Sequence, residues 1–317
     1  MSVETARTVA EDILWPDADL IDASPVVPDR YLDALAAAGL YDLPGGEEGA
    51  RIIEALGGAS LVTAFVWIQH HSPVRAVAAA GGELADRYLE PMRRGRVRAG
   101  IAYAALRRPG PPAAVVEPSD GGWKLSGSAP WVTGWGLIDM VLAGARHGDD
   151  MVWLLLDAVE STRMAATAVA LAAMQASATV ELRWSSLDVP ADRVVAVERY
   201  DDWCRRDLAG RATNGYLAIG VADRAARLLS SAALADEVSA ARTALDRSTP
   251  DTVVGARADA SLLAVRAATA VFAAGGGRSA EAGTTAARLM REATFLLVFG
   301  QSPDIRDEQL RRLSAPS

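Results

Sequence analysis

The chain has 317 residues, 50% of them hydrophobic, and a formal charge of -8 from 40 acidic and 32 basic side chains. That is enough apolar material for a sizeable core, and an acidic surface that repels phosphate backbones and so argues against nucleic-acid binding. The single cysteine, Cys204, excludes an intrachain disulfide and a cysteine-rich metal site, and His70, His71 and His147 leave little for a histidine metal cage.

Met1-Ser2-Val3-Glu4 lacks the basic and apolar regions of a secretory signal. No apolar run reaches the ~20 residues of a membrane span. The longest, Ala59 to Ile68, contains Ser60 and Thr63 and reads as a buried helix. A cytoplasmic protein is expected.

From Pro28 to about Arg98 the pattern is helical. Tyr31, Leu32, Leu35 and Leu40 share a stripe that Gly39 closes, and Ile52, Ile53, Leu56, Leu61 and Phe65 recur at helical spacing. Gly81-Gly82 separates a further amphipathic stretch, Leu84 to Met92. His70-His71 reads as a helix end with one ring exposed. From Gly100 to about Val197, short apolar runs alternate with turn residues, which predicts strands at Ile101 to Leu106, Trp123 to Ser126, Met140 to Ala145, Met151 to Leu156 and Thr179 to Trp184. No helices separate these runs, so a compact β-domain, barrel- or sandwich-like, fits better than a doubly wound parallel sheet. From Trp203 onward the chain is helical again. Thr249 is the expected N-cap of a helix that begins at Pro250 and stops at Gly275-Gly276-Gly277, and Ser302-Pro303-Asp304 starts a last one. The fold class is α+β: an N-terminal helical domain (1–99), a middle β-domain (100–198) and a C-terminal helical bundle (199–317).

The motifs of several enzyme classes are missing. There is no GxSxG elbow, no HExxH, no phosphate loop and no GxGxxG after a strand.

The order of elements and several segments resemble the acyl-CoA dehydrogenase family. Leu125-Ser126-Gly127-Ser128-Ala129-Pro130-Trp131-Val132-Thr133 is similar to the family's L-x-G-x-K-x-W-I-T segment. Asp188-Val189-Pro190 resembles the exit from its β-domain, Arg87 to Met92 the helix feeding that domain, and Gly275-Gly276 with Arg288-Leu289-Met290-Arg291-Glu292-Ala293 its later motifs. The resemblance implies FAD held between β-domain and bundle, with Trp131, Val132 and Thr133 beside the isoalloxazine and Gly275 and Gly276 near the pyrophosphate. It implies an acyl thioester, on CoA or a carrier protein, as substrate, and a homo-oligomer or a hetero-oligomer with a homologue.

The sequence departs from the family's pattern at the base. Desaturation needs a carboxylate to take the α-proton, yet Phe299 stands where most members carry the glutamate and Gly210, before Arg211, where others do. Asp207, about one turn earlier, and His70 are the candidate replacements. The T-E-P-x-x-G-S-D loop is replaced by Ala105-Leu106-Arg107-Arg108-Pro109-Gly110, whose two arginines suit phosphates. The family's R-x-x-F-G segment is missing, and Leu228-Leu229-Ser230-Ser231 leads straight to Ala232. Three functions follow as expectations: an acyl-CoA dehydrogenase-like flavoprotein without the usual glutamate, a flavin monooxygenase on the same fold, or a non-catalytic subunit paired with an intact homologue.

Overall fold

The computed structural model describes residues 2–107 and 110–315. Ser2 begins the first helix by accepting the Thr5 N–H. The helices that follow are α1 (Val3–Val9), α2 (Ala18–Ala23), α3 (Asp29–Ala37), α4 (Gly46–Ala59), α5 (Leu61–Ile68), α6 (His71–Ala80) and α7 (Gly82–Arg93), with a π-helical turn at Ala10–Leu14. The apolar run from Ala59 to Ile68 is therefore not one helix. Ser60 is extended (φ −148°, ψ 100°), ends α4 and opens α5.

The strands are β1 (Ala99–Ala102), β2 (Ala114–Ser119), β3 (Gly122–Val132), β4 (Met140–His147), β5 (Asp150–Asp157), β6 (Met164–Ala168), β7 (Val180–Pro190) and β8 (Val194–Arg199). They form one sheet in the order β6-β7-β3-β2-β4-β5-β8, with β1 parallel to β4. The first strand stops at Ala102, and Ala104–Arg107 is a 3-10 turn, so the strand expected to Leu106 is cut short. β2, β6 and β8 were not legible as strands. β4 and β5 read as continuous apolar runs because both their faces are covered. Val141, Ala143, Val152 and Leu154 join the core inside the sheet. Met140, Leu142, Met151 and Trp153 pack with Val77, Leu84, Tyr88 and Trp203 from the helices outside it.

The last part comprises α8 (Tyr200–Ala209), α9 (Gly215–Leu228), α10 (Ala232–Asp246), α11 (Val253–Ala274), α12 (Thr285–Val298) and α13 (Pro303–Leu313). α11 starts at Val253 with Thr252 as N-cap, not at Pro250. Thr252 turns back onto Thr249, whose N–H donates to its Oγ1 at 2.9 Å, so Thr249 to Thr252 form a turn ahead of the helix. Gly275 ends α11, and Pro303 opens α13 after Ser302, both as expected.

Helices from the two ends of the chain share one core, including Leu32, Ile52, Leu56, Leu217, Ile219, Leu263 and Leu289. α4 and α9 touch backbone to backbone. A Cβ on Gly220 would lie 2.2 Å from the Glu54 carbonyl oxygen, and one on Gly58 2.5 Å from that of Gly220. Buried charges join the same ends. Arg224 grips Glu11 through two bonds of 3.0 and 2.7 Å, and Arg288 binds Asp19 at 2.7 Å and Glu292 at 2.9 Å.

Candidate functional site

β3 ends in a bulge that decides which way Trp131 faces. Ala129 pairs with Leu182 and Val132 with Val180, so Pro130 and Trp131 together oppose Glu181 alone. Strict alternation from the buried Ala129 would bury Trp131 and expose Val132. The extra residue reverses this: Val132 is 0% exposed and Trp131 47%. Trp131 has φ 65°, a left-handed conformation that costs a bulky residue about 1–3 kcal/mol and that the surroundings must hold in place. They do so through the loop after β6. The Gly134 N–H donates to the Ser177 carbonyl at 2.9 Å and the Trp135 N–H to that of Ala178 at 3.0 Å. Behind them the Thr179 hydroxyl lies 2.7 Å from that of Ser177 and 3.3 Å from that of Thr133. Trp131 is thus an outward-facing indole on a rigid support, while the Thr133 hydroxyl is buried and faces inward.

Phe299 is the C-cap of α12 and lies in an aromatic cluster. Its ring stacks on Phe295 (centroids 5.6 Å apart, planes 15° apart) and meets the edge of Phe65 at 4.9 Å. The next residue must be glycine, since Gly300 has φ 61° and a Cβ there would lie 2.2 Å from Asn214 Nδ2. From behind, Arg257 Nη2 donates to the Phe299 carbonyl at 3.1 Å. Arg257 is 1% exposed, and burial pulls its pKa down to about 10. Its Nε and Nη1 have no partner among the described residues. Gly210, the second position at which a glutamate was expected, follows α8, and Arg211 beside it pairs with Asp304.

The two candidate bases are engaged elsewhere. Asp207 on α8 receives Arg107 Nε at 2.8 Å and Nη2 at 2.6 Å, so the acid and the cation expected to act separately neutralise each other. Arg107 stands beside the ring of Tyr103, itself edge-on to Trp153 at 5.0 Å. Arg108 lies outside the described residues. His70 is a structural pin. The Ala99 N–H donates to its Nδ1 at 3.0 Å, which fixes the tautomer, and Nε2–H donates to the Met92 carbonyl at 3.0 Å. Burial lowers the His70 pKa to about 4 and pushes His71 down as well. Neither ring is exposed as the sequence suggested, because α6 starts inside the bundle with His71 edge-on to Trp67 at 4.4 Å.

Of the two glycines, Gly275 is explained locally: a Cβ there would lie 2.3 Å from Ser279 Oγ. Gly276 has φ 59° and open space where a Cβ would point. Sequence reasoning passed over Phe295 and Arg257. The spacing of Phe295 and Phe299, one helical turn apart, was the available signal for the first. A lone arginine in an alanine-rich helix gave none for the second.

No protein-family profile matches the chain, and no curated protein matches it. Solved structures do. Butyryl-CoA dehydrogenase from Megasphaera elsdenii matches with a TM-score of 0.82 at 18% identity, over 99% of this chain and 97% of that one. PigA with FAD and proline matches with 0.83 at 19% identity, over 98% and 96%. The glutaryl-coenzyme A dehydrogenase complex with glutaryl-CoA matches with 0.83 at 15% identity, over 99% and 94%. Helices, bulged sheet and bundle together give this chain an acyl-CoA dehydrogenase-like fold over nearly its full length.

Proposed function

We propose that this chain is a flavoprotein of the acyl-CoA dehydrogenase type that places FAD against Trp131 and takes an acyl thioester beside it, without a base of its own for α,β-desaturation. The observation that carries the reading is the Trp131 bulge: a strained, half-exposed indole braced by the loop at Ser177 to Thr179. An outward aromatic face of that kind suits a planar ring system. Among the structural neighbours, PigA is seen with FAD. FAD, when bound, supplies a two-electron acceptor. The residues suited to it are Trp131 for the ring and Gly276 for close approach of a phosphate. Arg107 does not fit as a phosphate ligand, because Asp207 already occupies its guanidinium.

The thioester part of the reading is limited by Phe299. A phenyl ring accepts no proton, Asp207 is neutralised and His70 has both nitrogens bonded. The same observation favours a second reading, a non-catalytic subunit that pairs with an intact homologue. Anaerobic mixing of the FAD-loaded protein with butyryl-CoA tests both. The expected result is a shift of the flavin absorption without bleaching, and bleaching gained by Phe299→Glu. Bleaching by the unaltered protein would contradict the reading, because it requires a base. No spectral change at all leaves the subunit reading as the better one.

A further inference from the structure

Three arginines are buried, and two of them carry their own counter-charge. Arg224 and Arg288 are 5% and 2% exposed. Glu11 neutralises the first, and Asp19 and Glu292 the second. Arg257 on α11 is the most deeply buried of the three, at 1%, and forms no ion pair among the described residues. Burial is the only influence on its proton affinity, so no charged group stands close enough to act on it. Asp246, Asp259, Asp304 and Glu308, from the segments that flank it, are engaged instead by Arg51, Arg312, Arg211 and Arg312. One nitrogen, Nη2, donates to the Phe299 carbonyl, while Nε and Nη1 have no partner among the described residues. A guanidinium holds its proton at any ordinary pH, and a charge taken out of water is costly unless an opposite charge meets it. Water at Nε and Nη1 satisfies the N–H groups but not the charge.

The surroundings limit what that opposite charge can be. At 1% exposure, no partner chain reaches the guanidinium. Packing around the side chain is tight: a Cβ on Gly215, which opens α9, would lie 3.2 Å from the Arg257 Cδ and 2.8 Å from Leu245. A nucleotide or an acyl chain is too large for such a place, whereas a single-atom anion is not. We infer that the unpartnered nitrogens of Arg257 bind a small inorganic anion of the chloride class, held between α9, α11 and the end of α12. Because Arg257 also holds the Phe299 carbonyl, the anion fastens the turn at Phe299-Gly300 to the bundle. The inference does not depend on whether the chain binds a flavin.

The test is thermal unfolding of the full chain, dialysed exhaustively into sodium gluconate, as chloride replaces gluconate at constant ionic strength. Arg257→Met and Arg257→Lys are measured alongside. An anion that binds the folded chain alone stabilises it by mass action. The melting temperature of the unaltered chain is expected to rise by about 2 °C or more and then level off. Arg257→Met, which keeps the bulk and removes the charge, is expected to show no such rise. Arg257→Lys keeps the charge without the guanidinium fork, so its half-saturating chloride concentration is expected to be at least roughly tenfold higher. A melting temperature of the unaltered chain that ignores chloride overturns the inference. So does an equal rise in Arg257→Met, which is a general salt effect and not a site. If Arg257→Met does not fold, the lysine variant decides, and a half-saturating concentration equal to that of the unaltered chain overturns the inference.

Discussion

Three side chains show how environment overrides residue type. His70 is a titratable group in name, yet its fold position requires the neutral ring: Nδ1 must accept from Ala99 and Nε2–H must donate to Met92. Its pKa falls from the ordinary 6.5 to about 4 on folding, so the unfolded chain takes up the proton first as pH drops. Stability from this group is full above pH 6.5 and is lost progressively down to about pH 4, by up to about 3 kcal/mol. His71 acts in the same direction. Urea unfolding at pH 7.5, 6 and 5 is expected to show midpoints falling with pH, a trend that His70→Asn partly flattens; a pH-independent midpoint contradicts this. Asp207 is likewise fixed by its partner. Asp207→Asn is expected to lower stability by about 2 kcal/mol through loss of a charge-assisted bidentate pair, with no change in the flavin response to thioester. Loss of that response with unchanged stability would instead make Asp207 a functional acid. None of this was legible beforehand. A sequence lists Asp207 and Arg107 a hundred positions apart, and nothing in either neighbourhood states that they meet.

Elements were more legible than contacts. The helix start at Ser302, the stop at Gly275 and the two-sided apolar strands β4 and β5 follow from local chemistry, which acts over a few residues. The misplaced start of α11 has the same local origin: the Thr252 hydroxyl accepts the Thr249 N–H, so residues 249 to 252 close a turn and the helix begins after it. The edge strands β6 and β8 are short and partly exposed, so they lack the apolar signature that reveals inner strands. What locks elements together is a matter of close approach. Gly220→Ala puts a methyl 2.2 Å from the Glu54 carbonyl oxygen and 2.7 Å from the Gly58 nitrogen. Backbone cannot yield as a side chain can, and a loss of about 3 kcal/mol or a non-folding chain is expected in thermal unfolding. A near-neutral outcome would mean α4 and α9 can slide apart. Within α12, Arg288 and Glu292 are 2% and 1% exposed in their side chains and bind each other. Arg288→Ala leaves the Glu292 carboxylate buried without its cation and is expected to lower stability by about 3–5 kcal/mol.

At the scale of the whole molecule, the order helices, sheet, helices was legible because hydrophobic period changes with secondary structure. That the first and last helices share one core was not, because it depends on α9 lying against α4 across the sequence. The candidate site was legible in part. Trp131 to Thr133 could be named from their motif, but not the bulge that sends Trp131 outward and Thr133 inward, since a register shift leaves no mark on either strand alone. Among the described residues, no helix is long and apolar enough to cross a membrane. Trp131→Gly tests the bulge at the end of β3 with two readouts. Glycine accepts φ 65° without strain, so the variant is expected to melt higher, by about 1 kcal/mol in stability. It also removes the aromatic wall, so titration with FAD should give an affinity roughly tenfold lower than that of the unaltered protein. A variant that binds FAD as tightly as the unaltered chain, or an unaltered chain that binds no FAD at any concentration tried, would contradict the assignment of Trp131 to the flavin.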